Sequence, residues 1–370
     1  MIYVIFAAFV SFSTTVILIL VQVSRTHNGI AGSAQGCGRA AGLGIAFGLL
    51  ASFVARIYDD APYAASTARL GLVLLLSAVP VLFTGLIEDF TQRVSKRARL
   101  CAALASAAFA GWLLGAWIAR IDVPLLDHLL AMRLVSVLFT CLLVAGLTNA
   151  FNIIDGFNGL AGGVAALILL GIAYVGFKVG DIAVMATALT AVGAIVGFMA
   201  LNFPRGLIYL GDGGAYLLGY WIAILLILLV GRNHEVSPWF PVLLCAYPVC
   251  ELLFSIYRRG IVRRSHPALP DLAHLHHLVY KRLVRWLVGT DMPAHRTQRN
   301  SLTAPYLWIV TSVGVAPAVV LWGSTPALQM GSALFAVAYV YAYARIVKFR
   351  APRWWVLRKT RERPAAREPD

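Results

Sequence analysis

The chain has 370 residues, 60% of them hydrophobic, with a mean hydropathy of +0.80 and a formal net charge of +15. Soluble globular domains hold apolar residues to roughly half of the total, so the composition excludes a soluble enzyme and defines an integral membrane protein. The basic excess is distributed as membrane anchoring and excludes nucleic acid as a partner, while Cys37, Cys101, Cys141, Cys245 and Cys250 are too scattered for a disulfide framework or a cysteine metal site.

Backbone groups in lipid must be satisfied within each crossing segment, so the expected fold class is all-α, a polytopic transmembrane helix bundle. Apolar runs near the bilayer-crossing length of about 20 residues recur eleven times. They fall at 2–23, 40–58, 66–87, 98–118, 129–149, 160–178, 182–202, 214–231, 238–257, 304–322 and 326–346. Together they form one membrane domain, 1–347, whose long connection 258–303 carries an interfacial helix; 348–370 is a basic tail. The first run lacks a basic leader and a small-residue cleavage site, so it reads as a retained span. With these spans, 24 of the 31 Lys and Arg residues fall on one side and only Arg120, Lys178 and Arg232 on the other. The positive-inside rule then places the N-terminus outside and the C-terminus in the cytoplasm.

Every connection rich in polar chemistry falls on the cytoplasmic side. The outer clusters, Asp59-Asp60 and Asp122 with Asp127, read as solvated surface. The first cytoplasmic loop, Ser24–Arg39, with His27 and Asn28, reads as a flexible linker. The second, GLIEDFTQRVSKRARL from Gly85, sets Glu88 and Asp89 directly after an apolar run. Arg93, Lys96, Arg97 and Arg99 follow as anchors against anionic lipid. The third, TNAFNIIDGFNGLAGG from Thr148 to Gly163, repeats Asn149, Asn152, Asp155 and Asn158 every three residues. If helical, they form one polar stripe, costly at a membrane boundary unless paired; turn chemistry is the alternative. The fourth, NFPRGLIYLGDGG, holds Arg205 and places Asp212 between glycines that permit close approach of a ligand. The fifth contains Asp271, His274, His276 and His277 beside an apolar stripe of Leu272, Leu275, Val279, Leu283 and Trp286. That stripe fits an interfacial helix. The histidines suit phosphate recognition, zinc binding or a structural cluster.

Glu88, Asp89, Asn152, Asp155 and Asp212 thus offer oxygen ligands on one face, with histidines and arginines as cations. Oxygen donors with open positions suit Mg²⁺, whose shell substrate phosphates complete. The implied chemistry is phosphoryl transfer at a membrane surface. A transporter or lipid flippase is the alternative, and would hold its polar groups near mid-membrane on broken helices.

The runs GLIEDFT, NAFNIIDGFNGLAGG, LGDGGAYLLG and DLAHLHH resemble the cytoplasmic motifs of the polyprenyl-phosphate N-acetylhexosamine-1-phosphate transferases, in family order, over roughly residues 80–280. The resemblance implies a bacterial inner-membrane enzyme that moves a sugar 1-phosphate from a UDP-N-acetylhexosamine to undecaprenyl phosphate, releases UMP and uses Mg²⁺. It implies Asp89, Asp155 and Glu88 as catalytic residues, and Asp212 with Asp155 as metal ligands. Asn152, Asn158, Arg205, His274, His276 and His277 are implied in substrate binding. The bilayer is a further partner, and a second copy of the chain is a candidate one. The chain departs from the family pattern in having Glu88 for the first acid of the pair, Asn158 for an aspartate and Gln92 for a basic residue, and it lacks the usual first-loop motif. These departures resemble the branch that builds surface polysaccharides such as O-antigen. The expected mechanism is direct attack of the lipid phosphate on the sugar-bearing phosphorus, with a covalent enzyme intermediate as the competing route.

Overall fold

The computed structural model describes residues 1–27, 38–263, 274–284, 293–348 and 355. Asn28, Asp271, Leu272, Trp286, Trp354 and the tail after it, Trp355 excepted, lie outside the described residues. Among the described residues there is no strand. The helices, in order, are α1 (Ile2–His27), α2 (Ala41–Ile57), α3 (Ala64–Thr91), α4 (Lys96–Leu114), α5 (Pro124–Leu130), α6 (Arg133–Ile154) and α7 (Leu160–Lys178). They continue with α8 (Ile182–Asn202), α9 (Gly211–Arg232), α10 (Phe240–Leu244), α11 (Ala246–Tyr257), α12 (Leu275–Leu278), α13 (Pro293–Val320) and α14 (Thr325–Val347). Single turns of π-helix, Arg258–Arg263 and Val279–Val284, follow α11 and α12.

Nine of these helices are long and apolar enough to cross a bilayer, which makes this a multi-pass helical membrane protein. The two other expected spans take different forms. α2 has 17 residues. The run 238–257 breaks at Cys245 into α10 and α11, because Pro248 lacks an N–H and its ring clashes with the carbonyl four residues back, at Leu244.

α9 is the centre of the bundle. It is apolar all round, the pattern of a helix enclosed by others, and nearly every residue from Gly211 to Val230 is buried. α3 and α6 flank it most closely, with α2 and α7 beside them. Tyr220 of α9 donates to Ser77 Oγ of α3 at 2.7 Å, and Trp221 stacks on Phe53 of α2. α1 lies at the edge against α2 and α8, and exposes Ile2, Ile5, Phe9, Ile17 and Leu20 as a lipid-facing strip. Between helices in lipid, close contact of small residues replaces the hydrophobic drive. Here Gly44 and Gly48 of α2 meet Thr15, Ser11 and Ala7, while Gly193 and Gly197 of α8 lie against the Val4 and Ala8 carbonyls. Two glycine pairs, each four residues apart, therefore grip α1 from two sides.

The end of the bundle holding the loops after α2, α4, α7 and α9 is tied by polar contacts, correcting the reading of Asp59, Asp122 and Asp127 as solvated surface; Asp60 is exposed. Arg120 donates to the His234 and Val236 carbonyls at 2.9 and 2.8 Å and pairs with Asp122 at 3.4 Å. Asp122 also accepts from Thr325 Oγ1 at 2.8 Å, and Asp127 accepts from the Ile121 N–H at 2.6 Å. The other end carries the candidate site.

Candidate active site

The site begins with the first turn of α9. A helix start leaves N–H groups without intrahelical partners, and Leu210, which precedes Gly211, has no side-chain acceptor. Asp89, near the end of α3 and 3% exposed, supplies both: Oδ1 accepts from the Asp212 N–H at 2.8 Å and Oδ2 from the Gly213 N–H at 2.9 Å. A carboxylate there also favours the positive end of the helix dipole. Gly211 is required by geometry. Its φ is +74°, and a Cβ would collide with the Arg39 carbonyl and come within 2.7 Å of both Asp89 oxygens. The glycine contacts Gly85–Gly213 and Gly42–Gly214 bring α3 and α2 backbone to backbone against α9. Tyr209 N–H donates to the Gly38 carbonyl at 2.8 Å and Gly42 N–H to the Leu210 carbonyl at 3.2 Å. Segments 38–42, 85–89 and 209–214 are thereby stitched into one platform.

On that platform stands Asp212. Its Oδ1 accepts from Asn152 Nδ2 at 2.9 Å and its Oδ2 from Arg99 Nη1 at 2.8 Å. Glu88 accepts from the Val94 N–H at 2.7 Å and keeps its other oxygen 3.8 Å from the same Arg99 nitrogen. Arg99, expected as a lipid anchor, is thus a site residue. The polar stripe expected on one helix is divided. α6 stops at Ile154, so Asn149 is exposed on the helix, Asn152 is half-buried, Asp155 caps the helix end, and Asn158 is buried in the turn that follows.

Part of the Asp155 side chain stays accessible, but protein surrounds most of it. Burial first, then the negative charges of Asp212 and Asp89, push its carboxyl up to about 8; Arg39 and the Gly211 N–H pull the other way. Among the described residues no three His, Cys, Asp or Glu side chains converge as metal ligands. Two mutually repelling carboxylates, Asp155 and Asp212, with the Asn152 amide beside them, nevertheless fit a hard divalent cation such as Mg²⁺. That ion uses one or two protein carboxylates and fills its shell with water and phosphate oxygens. A cation there also removes the repulsion that raises Asp155.

The histidine motif meets this loop from the other side. His276 lies against Gly156, and Phe157 makes ring contacts with His276, His277 and Tyr280 at 5.7, 5.7 and 5.2 Å. The motif is organised by a residue that sequence reasoning missed. Glu251 of α11, 1% exposed, accepts from the Leu275 N–H at 3.1 Å, sits 3.2 Å from His274 Nδ1 and lies 4.0 Å from His276 Nδ1. Its signal was available, since a lone acid inside an apolar run is a functional hypothesis by default. Leu275, Val279 and Leu283, expected as a membrane-facing stripe, are buried in the protein core.

The remaining expected residues divide between framework and surface. Asn158 is buried: its N–H donates to Asn300 Oδ1 at 2.7 Å and its Nδ2 to the Pro204 carbonyl at 3.2 Å. Asn202, unremarked in the sequence, accepts from the Gly159 N–H at 2.6 Å and donates to the Ile208 carbonyl at 2.7 Å. Arg205, beside them, is exposed.

Fold and site together define a polytopic helical membrane protein with an acid, amide and arginine cluster at the buried start of its central helix. Residues 71–230, which contain Asp89, Arg99, Asn152, Asp155 and Asp212, match the model of glycosyl transferase family 4. The recognised family is therefore that of this segment; the histidine motif and Glu251 lie outside the matched residues. Similar proteins include a probable undecaprenyl-phosphate N-acetylglucosaminyl 1-phosphate transferase of Bacillus subtilis (strain 168), 32% identical over 42% of this chain and 44% of the relative. An undecaprenyl-phosphate alpha-N-acetylglucosaminyl 1-phosphate transferase of Thermotoga maritima is 26% identical over 57% of this chain and 62% of the relative. A decaprenyl-phosphate N-acetylglucosaminephosphotransferase of Mycolicibacterium smegmatis is 29% identical over 54% and 51%. The matches thus span 44 to 62% of the length of these relatives.

Proposed function

We propose that this chain transfers a sugar 1-phosphate from a UDP-N-acetylhexosamine to undecaprenyl phosphate at the cytoplasmic face of a bacterial inner membrane, releasing UMP, as the first membrane step of a surface polysaccharide. The observation that carries this reading is the grouping of Asp155, Asp212, Asn152 and Arg99 at one helix start, within the segment that matches glycosyl transferase family 4. The names of the relatives above supply the acceptor class and the transferred group. A transporter would keep such groups in mid-bundle; here they gather at helix ends. The strong excess of basic residues on this side supports a cytoplasmic site.

Asp212 and Asp155 would hold Mg²⁺, which supplies charge neutralisation at the diphosphate when bound. A phosphate monoester has a second pKa of about 6, so the lipid phosphate arrives already ionised and needs no strong base. Its oxygen forms a bond to the sugar-bearing phosphorus as the bridge between the two phosphates breaks and UMP leaves. Arg99 and the histidines hold the phosphates in line, and Glu251 fixes the histidine rings. Asp89, with both oxygens accepting from α9, positions Asp212.

The test is UMP release by purified protein in detergent with undecaprenyl phosphate, Mg²⁺ and separate UDP-sugars, UDP-N-acetylglucosamine first. Release that needs lipid, Mg²⁺ and Asp212 supports the transfer. Folded protein that releases no UMP from any UDP-sugar would return the transporter reading.

A further inference from the structure

We propose that Arg99 and the divalent cation are alternative partners of Asp212, so that loading the cation moves the Arg99 guanidinium off the carboxylate and onto the anionic donor. This rests on the assignment of Asp212 and Asp155 as cation ligands. Both oxygens of Asp212 are already committed, one to Asn152 and the other to Arg99 Nη1 at 2.8 Å. A dication on the same carboxylate would place two positive groups a few ångströms apart in a site only partly open to water, where screening is weak. One of them must give way.

Arg99 has the looser hold of the two partners, even with the Tyr216 side chain of α9 hydrogen-bonded to it. It lies in the first turn of α4, with its side chain about one-fifth exposed, and a single nitrogen makes its contacts to both carboxylates. No bidentate fork fixes it on Asp212. A second acceptor is already in reach, since Glu88 Oε1 lies 3.8 Å from the same Nη1 and is held by the bond from the Val94 N–H to Oε2. Asp212 cannot follow, because its backbone N–H is clamped by Asp89 at 2.8 Å and α9 is buried. A guanidinium released beside a diphosphate meets the geometry it binds best. The two cations therefore compete for Asp212 without the donor and cooperate once it is bound.

Mn²⁺ binding to the full-length protein in detergent, followed by electron paramagnetic resonance, separates these states. Arg99→Gln should tighten Mn²⁺ binding without nucleotide by about fivefold or more, within the usual range of coupling between ligands. The same variant should weaken UDP binding at saturating Mn²⁺, and Arg99→Lys should recover part of that loss. Equal or weaker Mn²⁺ binding in Arg99→Gln overturns the exchange while leaving the cation assignment standing. Mn²⁺ binding to neither protein overturns both. If Arg99→Gln does not fold, Glu88→Gln carries the test: loss of the second acceptor should weaken Mn²⁺ binding, and unchanged or tighter binding overturns the proposal.

Discussion

The two ends of the bundle use the same residue types to opposite effect. At the end away from the site, acids meet donors that neutralise them. Asp59 accepts from the Tyr3 hydroxyl at 2.6 Å and the Ala61 N–H at 3.0 Å, which hold its carboxyl below the usual range. Asp122 is shared between Arg120 and Thr325. At the site, Asp155 is pushed up to about 8 by burial and by its fellow acids. One end is assembled for stability; the other keeps unresolved repulsion for a charged ligand to relieve.

Substitution of the acid at the centre of the site should separate the two ends most sharply. Asp212→Asn should lower UMP release by about a hundredfold or more, the scale of losing a principal electrostatic group, with the melting temperature little changed. Arg120→Gln should do the reverse, costing about 1 kcal/mol of stability through the partly exposed bonds it loses and leaving turnover near the wild-type value. Thermal melts alongside UMP release check both.

Glu251→Gln keeps the shape of the histidine support and removes its charge. A loss of about tenfold, expected for a charge-assisted hydrogen bond, should fall on KM for the UDP-sugar more than on kcat. Equal losses in both would give the histidines a role in the chemical step.

The pH dependence of stability carries opposite signs at the two ends. A carboxyl whose folded pKa lies above its unfolded value of about 3.9 destabilises the fold increasingly as pH rises between the two. For Asp155 that window runs up to about 8, so without a divalent cation the melting temperature of Asp155→Asn should gain on wild type from pH 5 to pH 8. Asp59 is depressed, so its contribution is present above the unfolded pKa and fades as pH falls through the lower folded one. Asp59→Asn should therefore flatten only the acid limb of the melting profile, the smallest of these effects.

Much of this division was legible in the sequence. The helical class and the four polar loops follow from apolar runs and their interruptions, and the structure gathers Asp89, Asn152, Asp155 and Asp212 as their motifs suggest. What escaped depended on where helices end and what they meet. Periodicity every three residues promised one stripe from Asn149 to Asn158, but α6 stops at Ile154 and sends the last two into a turn. The partners of Asp89, the Asp212 and Gly213 N–H groups, lie more than a hundred residues away on α9, beyond the reach of any local pattern. Glu251 carries its signal in being a lone acid within an apolar run, whereas Arg99 is masked by a run of bases that read as anchors. The Arg120 knot joins residues from distant connections, and no local pattern encodes it.

The enclosure of α9 has a further consequence. Bilayers differ in thickness and tension, and helices that touch lipid must tilt or shift to follow them. α1 and α14 present such surfaces, with Phe9, Leu20, Met330 and Val337 outward. The helix that carries Asp212 in its first turn has almost none, being wrapped by protein along its length. Asp212 is thus insulated from the mechanics of the host membrane, so acyl-chain length can reshape the periphery while the helix that carries this acid is held by protein alone.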